Sequence, residues 1–472
     1  MISLSIKPQP GQTLVEAIVS AISQAIDDGQ WRPGTRIPSI RRFANDHGVS
    51  PFTVVEAYDR LLSMAYLRSR PGSGFYVEVR AGRSPLRPGA RLEDLAIDEH
   101  WLLRNVYEHS EEALQAGCGW LPPAWYDVEA QQKALRTVAR HGDMNLRYGD
   151  PKGYPSLRRL LAEQLGEQGL PVEADTIMLT QGASQALDMV ACALLRPGDT
   201  VLVDDPGYCN LLSCLAFRGF NLIGVPWTEQ GPDLAALQQL LETHRPRAFF
   251  TNPWLQNPTG ASYSVQTAHQ VLKLAEQYEL LLIEDNVSVD FMHGRQPTLA
   301  ALDGLRRVIY IGSFSKTLSP GLRVGFVACP ADSVEKLLRY KMMSGLTTPE
   351  LNERVVLEML GEGRYRRQVE KLKSRLAEAQ YLSATRLQAL GWVLFTRPHN
   401  GLFLSARPAQ EMDTLQLAAQ ALKQGILLAP GHLFRPYGEP SHWLRFNVAY
   451  SQNERLWQFL ETHNHATTRS QC

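Results

Sequence analysis

The feature that most constrains this chain is an alternation: between about residues 119 and 460, short β-branched or apolar runs recur with helical patterns between them. The runs are Thr176–Thr180, Thr200–Val203, Ala248–Thr251, Leu280–Asp285 and Val308–Gly312. Strand-length runs separated by helices predict a mostly parallel α/β sheet. From about residue 355 the pattern turns helical and then carries strands near Trp392–Phe395, Phe403–Ala406 and Leu444–Ala449, which predicts a smaller α+β lobe. At 472 residues the chain exceeds one ordinary domain. With 44% hydrophobic and 20% charged residues it can bury large cores, which excludes collagen-like and broadly disordered folds.

The N-terminal region reads differently. Leu14, Ile18, Ile22 and Ile26 recur every four residues and predict an amphipathic helix stopping near Asp28-Gly29. Pro33, Gly34 and Pro38 then force a loop, after which Ser39 N-caps a helix running through Ala44 and ending before Gly48. Ser50-Pro51 reads as an N-cap with proline at the first helical position, opening a third helix that buries Val54, Ala57, Tyr58, Leu61 and Leu62. Two short helices joined at Asp46-His47-Gly48-Val49 make a helix-turn-helix. Residues 66–70 and 74–79 alternate like strands around Pro71-Gly72-Ser73, as a hairpin wing would. Residues 80–118 read as a linker that becomes an approach helix near 93–116. The expected organisation is therefore a head over 1–79, a linker over 80–118 and a large domain over 119–460.

Lys+Arg and Asp+Glu balance at 48 each, so any polyanion binding must come from a local patch. Residues 31–80 supply one: Arg at 32, 36, 41, 42, 60, 68, 70 and 80 against Asp46, Glu56, Asp59 and Glu78 leaves an excess of four positive charges. Ser50, Phe52 and Thr53 begin the second helix of the motif, the end that enters the major groove. A solvated helical pair with a few arginines fits the same pattern, so the motif alone leaves DNA binding open. Residues 12–78 resemble the winged helix-turn-helix of the GntR family of bacterial regulators, through Gly34-Thr35-Arg36-Ile37-Pro38-Ser39-Ile40-Arg41, Gly48-Val49-Ser50-Pro51-Phe52-Thr53-Val54-Val55-Glu56-Ala57-Tyr58 and Gly72-Ser73-Gly74-Phe75-Tyr76-Val77. The resemblance implies that Arg36, Arg41, Ser50, Thr53 and Gly72 contact double-stranded DNA. Pro51 stands where the family usually has an arginine, which implies one phosphate or base contact fewer.

No segment approaches 18 consecutive apolar residues, and the N-terminus lacks the pattern of a secretory signal, so the expectation is a soluble cytoplasmic protein without membrane contact. The six cysteines form no C-x-x-C pair and have no histidines at zinc spacing, so reduced structural thiols and no metal are expected.

Chemistry-bearing residues cluster at the ends of the expected strands. Lys316, in Ser313-Phe314-Ser315-Lys316, follows the run Val308–Gly312, with Arg323 seven residues on. A lysine there can form a Schiff base with an aldehyde cofactor while hydroxyls and an arginine take its phosphate. S-x-x-K also occurs in penicillin-binding enzymes, whose S-D-N and K-T-G companions are absent here. Asp285 ends the run Leu280–Asp285, where a carboxylate can keep a pyridine nitrogen protonated, although an acid at a strand end also caps helices. Gln181-Gly182-Ala183-Ser184 starts a helix, so its N–H groups and dipole favour a phosphate. Tyr208 could stack on a ring, Asn257 could donate to a phenolic oxygen, and Arg445 could pair with a carboxylate. Each has an ordinary structural role open to it; their order along one α/β chain is what carries weight.

That order resembles fold-type I aminotransferases of class I over about residues 119–460, and its union with the head resembles the MocR subfamily of GntR regulators. The resemblance implies pyridoxal 5′-phosphate as cofactor, with Lys316 as the Schiff-base lysine and the catalytic residue. It implies Asp285 as pyridinium partner, Asn257 as donor to the phenolic oxygen, Tyr208 as stacking ring and Arg445 as the substrate-carboxylate anchor. Ala183, Ser184, Ser313 and Arg323 would bind the phosphate, and Tyr148 would reach the phosphate of the other subunit in a homodimer. Val287 stands where the family usually has a tyrosine, so one phenol donor is missing. The leading expectation is a DNA-binding regulator that senses pyridoxal phosphate, an amino acid or an amine, acts on paired half-sites and turns over little or nothing. The alternatives are an active aminotransferase with an accessory DNA-binding domain, and a scaffold that has lost its cofactor.

Overall fold

A computed structural model describes residues 13–27, 31, 35–64, 66–70, 74–77, 113–140, 146–294, 296–361, 363–410 and 412–469. The chain separates into two compact units that divide between residues 94 and 95. In the first unit, helices span Leu14–Asp27, Ile40–His47 and Pro51–Ser63, followed by the antiparallel pair β1 (Leu67–Arg70) and β2 (Gly74–Val77). Ser39 and Ser50 cap the second and third helices through their side chains. Gly48 ends the second at φ 65°, a conformation glycine adopts without penalty, and this sets the turn. Ile18, Ile22, Phe43, Val54, Tyr58, Leu61 and Val77 close one core, and the Tyr58 hydroxyl donates to the Pro38 carbonyl at 3.0 Å.

The loop expected over 32–39 is corrected in part. Thr35–Ile37 pairs with β2: the Ile37 N–H donates to Phe75 and the Val77 N–H to Thr35, with Arg36 opposite Tyr76. The hairpin left an edge open, and three residues without helical bonds satisfy it. Gly72 and the linker over 80–112 lie outside the described residues.

Among its described residues the large unit holds an eight-stranded sheet and a four-stranded one. The first comprises β3 (Ile177–Thr180), β4 (Thr200–Asp205), β5 (Asn221–Thr228), β6 (Gly231–Pro232), β7 (Ala248–Thr251), β8 (Leu281–Asp285), β9 (Val308–Ser313) and β10 (Gly325–Ala328), in the order β3-β10-β9-β8-β7-β4-β5-β6. Neighbours from β5 to β9 through the centre are parallel, whereas β10 runs antiparallel to both β3 and β9. Insertion of β10 brings backbones very close: a Cβ on Gly325 would lie 2.7 Å from the Gly182 carbonyl carbon and 2.9 Å from the Gly312 oxygen. The second sheet, β11 (Val393–Leu394), β12 (Phe403–Arg407), β13 (Ala429–Pro430) and β14 (Leu444–Asn447), is antiparallel in the order β11-β12-β14-β13 and builds the smaller lobe with the helix Arg364–Ala389.

The sequence pattern does not announce β5, β6, β10 and β13. β5 carries Gly224 and Pro226 and lies near the sheet edge, where such residues are tolerated, and the others are four residues or fewer. The approach helix expected to reach 116 is corrected over 113–116. There Leu114 pairs with Ile426, the Leu114 N–H donates to Gly425 and the Asn447 N–H to Ala116, so the segment adds to the small sheet instead of coiling. No helix among the described residues is long and apolar enough to cross a membrane.

Candidate functional site

The strands of the large sheet end at one cavity of about 820 Å³. β3 delivers Ala183 and Ser184, β4 delivers Tyr208, β7 delivers Asn252 and Asn257, β8 delivers Asp285, and β9 delivers Ser313 and Lys316. Arg323, Phe403 and Arg445 complete this part of the wall. Ligands in open α/β sheets bind beyond the carboxyl ends of the strands because the helices that follow open their N-termini there.

Lys316 Nζ donates to the Gly119 carbonyl. Burial pulls the ammonium's pKa down to about 8, partly offset by the neighbouring Cys118 and Asp285, so its neutral, nucleophilic form is far more accessible than that of a surface lysine. Asp285 is buried, and burial lifts its carboxyl to about 6 against the Val287 N–H bond and the Lys316 charge, both of which favour ionisation. A buried carboxylate in that condition is short of a cationic partner.

Arg445, on β14, is buried between the rings of Phe403 and Phe434 at 4.6 and 4.7 Å. Its guanidinium donates to Asn257 Oδ1 at 2.8 Å and to the Gly117 carbonyl at 2.5 Å, while Nε has no partner. Burial lowers its pKa. Because Arg445 takes Oδ1, the Asn257 amide presents Nδ2 as its donor end. The Asn257 backbone is itself held by Asn252, whose Oδ1 accepts the Asn257 N–H at 2.8 Å and whose Nδ2 donates to the Asp285 carbonyl at 2.6 Å.

The part of the wall at the start of the helix that follows β3 leaves backbone N–H groups open. No side chain caps the helix that opens at Ala183, and Gly182 precedes it at φ 80°. A Cβ there would fall 2.7 Å from the Arg323 guanidinium, which donates to the Gln181 carbonyl at 2.8 Å. Ser313 Oγ lies 3.1 Å from Ser315 Oγ. Tyr208 lines the same cavity; burial pushes its phenol up to about 12. Val287 is also in the wall, with no hydroxyl to offer.

Of the ten expected residues around the cofactor, the fold brings nine to this cavity. Tyr148 is not among them; it is 80% exposed on the surface of the chain. Sequence reasoning missed the segment Gly117–Leu121, which supplies two carbonyls to the charged residues and contributes Cys118, Trp120 and Leu121 to the wall. The only signal was Gly117-Cys118-Gly119, two glycines within three residues; a Cβ on Gly117 would lie 2.5 Å from the Ala429 nitrogen.

In the head, Arg36, Arg41 and Ser50 are exposed or partly so, and Thr53 is half-buried. Arg41 lies on the helix Ile40–His47, and Ser50 caps the one that follows, its Oγ accepting the Phe52 N–H at 3.3 Å.

Comparison with known proteins matches residues 115–462 to the class I and II aminotransferases. The chain belongs to that family. Residues 14–77 of this aminotransferase-family member match the gntR family of bacterial regulatory proteins, so the two parts form the MocR combination. The uncharacterized HTH-type transcriptional regulator YdfD of Bacillus subtilis is 29% identical over 458 residues, 93% of each chain. The 2-aminoadipate transaminase of Thermus thermophilus is 33% identical over 342 residues, 71% of this chain and 85% of its own. Among solved structures, an α-aminoadipate aminotransferase from Thermus thermophilus has a TM-score of 0.70 at 29% identity, covering 78% of this chain and 97% of its own. A multiple substrate aminotransferase from Thermococcus profundus has a TM-score of 0.72 at 25% identity, covering 79% and 94%.

Proposed function

We propose that this protein is a DNA-binding transcriptional regulator of the GntR/MocR type whose aminotransferase-like domain holds pyridoxal phosphate and senses it, an amino acid or an amine. One observation carries the reading: a single chain joins a capped recognition helix flanked by arginines to a cavity where a lysine of lowered pKa, a buried carboxyl of raised pKa and a partly unused guanidinium converge. The residues fit the cofactor. Gly182 leaves room beside Arg323 for a phosphate, and Ala183, Ser184, Ser313 and Arg323 would hold it. Asp285 would hold a proton on the ring nitrogen, Asn257 Nδ2 would donate to the phenolic oxygen, and Tyr208 would cover the ring. When bound, pyridoxal phosphate supplies an aldehyde reactive toward amines and a ring that draws electrons. Lys316 would offer its neutral amine, and Arg445 would orient the carboxylate of an incoming amino acid.

Regulation requires that cofactor or ligand bind two arrangements of the protein unequally, and so bias the DNA heads of a homodimer in the cytoplasm. Val287 leaves Asn257 without a phenol to share the phenolic oxygen. Loss of that donor suits ligand exchange better than fast turnover. The retention of Lys316, Asp285 and Arg445 keeps one second reading in place, an active aminotransferase with an accessory DNA head. Turnover of about 1–100 per second on a simple amino acid would decide for it.

The test has two arms. Borohydride should fix pyridoxal phosphate to Lys316, read by mass spectrometry, and Lys316→Ala should lose the visible absorbance. The full chain, offered random-sequence duplexes, should select one containing two half-sites, with an affinity that changes on adding an amino compound. Absence of the adduct removes the cofactor from the reading, and equal affinity for selected and scrambled DNA removes the regulator.

A further inference from the structure

The tip of the recognition helix carries side chains that its proposed role in DNA binding has not used. Phe52 is 78% exposed, although every other Phe, Tyr or Trp among the described residues of the head is at least half buried. Trp31, Phe43, Tyr58 and Tyr66 are buried, and Phe75 packs edge-on against Tyr58. Exposing a phenyl ring costs hydrophobic free energy that folding does not recover. Its position is also fixed: Ser50 Oγ accepts the Phe52 N–H, and Pro51 locks the turn before it. One turn on, Val55 is 37% exposed, and residues three apart along a helix share a face. The outward face of the first turn and a half is therefore the Pro51 ring, the Phe52 ring and the Val55 methyls.

None of these side chains can donate or accept a hydrogen bond. Thr53 between them is half-buried, and Glu56, the polar group after it, is tied to Arg60 at 2.8 Å. A helix tip of this kind cannot read guanine through a bidentate arginine. The one base feature in the major groove that matches an apolar surface is the 5-methyl group of thymine. Arg36 and Arg41 lie on neighbouring elements of the same small unit, supplying charge for the phosphates.

We propose that Phe52 is a specificity-determining residue whose ring packs on the 5-methyl group of a thymine in each half-site. This rests on the DNA-binding reading above and names what the helix reads. The experiment uses the full chain and the duplex it selects from a random pool. Each thymine of a half-site is replaced in turn by deoxyuridine, which removes the methyl group and leaves every hydrogen-bonding edge unchanged. At one position, or at two adjacent ones, the wild-type protein should bind about fourfold more weakly, the value of one buried methyl-sized group. Phe52→Ala should bind the thymine and uracil duplexes equally there, and Phe52→Leu should keep part of the preference. The side chain is exposed, so neither variant disturbs the core, and unchanged thermal unfolding verifies this. If the wild type selects a sequence yet no deoxyuridine substitution weakens it twofold, or if Phe52→Ala keeps the wild-type ratio, the inference is wrong and the regulator reading stands. If no sequence is selected at all, both fall together.

Discussion

Replacing Asp285 by asparagine should move the stability of the apoprotein and its grip on the cofactor in opposite directions. Burial lifts the carboxyl to about 6, against an ordinary value near 4. A folded-state pKa above the unfolded one means that the folded protein binds more protons between these values, so stability falls as pH rises through that window and the penalty is complete above it. At about 1.4 kcal/mol per tenfold change in proton affinity, ionised Asp285 costs the apoprotein on the order of 3 kcal/mol at pH 8. The asparagine side chain would keep an oxygen for the Val287 N–H, which in the wild type donates to Asp285 Oδ1 at 3.3 Å, and would carry no charge. The apo variant should therefore resist urea better than apo wild type at pH 8, by about 2–3 kcal/mol, with the gap shrinking as pH falls toward 4. With pyridoxal phosphate the order reverses, because the pyridinium loses its anionic partner and affinity drops on the order of a hundredfold or more. Tryptophan fluorescence during urea unfolding reads the first effect, and absorbance during cofactor titration reads the second. An apo variant no more stable than wild type at pH 8 would refute the burial argument. A stability gap with unchanged cofactor affinity would refute the assignment of Asp285 as ring partner.

Arg445→Met should collapse the preference for an amino acid over its decarboxylated amine, measured by spectral titration of the cofactor, while binding of the amine changes little; a preserved ratio would place the carboxylate anchor elsewhere. In gel shifts, Arg41→Ala should weaken binding to every duplex and lower the slope of log affinity against log salt by about 0.9, the value of one phosphate contact. Thr53→Ala should cost about 1–3 kcal/mol on the selected site alone if Thr53 reads a base edge, and an equal loss on scrambled DNA would make it a backbone contact. Sedimentation should give a dimer at micromolar concentration, and Tyr148→Phe should weaken cofactor retention if Tyr148 reaches the partner's phosphate. A cofactor-loaded monomer would contradict this.

Much of the architecture was legible because periodicity and punctuation agree. Ser39, Gly48, Ser50 and Pro51 mark the helix ends of the head by local chemistry, and the structure places caps at these residues. The apolar runs that became β7, β8 and β9 are buried along their length or nearly so, and such runs declare themselves. What was hidden depends on partners distant in sequence. Residues 35–37 and Leu114 carry no strand signal and pair because an existing sheet offers them bonds. The same holds for the cavity. Lys316, Asp285 and Arg445 are side chains whose chemistry shows in a sequence, whereas the carbonyls of Gly117 and Gly119 that meet two of them are backbone atoms without a residue signature. Tyr148, expected from resemblance to act across a subunit boundary, has no role that one chain can display.

The crowding of Gly182, Gly312 and Gly325 around β10 bears on how such a chain can diverge. A side chain on Gly325 would strike the Gly182 and Gly312 backbones, and one on Gly312 would strike the Phe326 ring. Selection for a foldable protein alone holds Gly312 and Gly325, whether or not any substrate is ever turned over, whereas a Cβ on Gly182 would meet the Arg323 guanidinium. Arg445 is under the opposite pressure: a buried guanidinium with an unpartnered Nε is a burden on folding, and an apolar replacement of similar size would relieve it. In a lineage that stopped handling carboxylate-bearing amines, drift would erase the arginine long before it touched the glycines. The informative position for tracing which descendants still recognise a ligand is therefore the costly residue on the small lobe, not the glycines packed around β10.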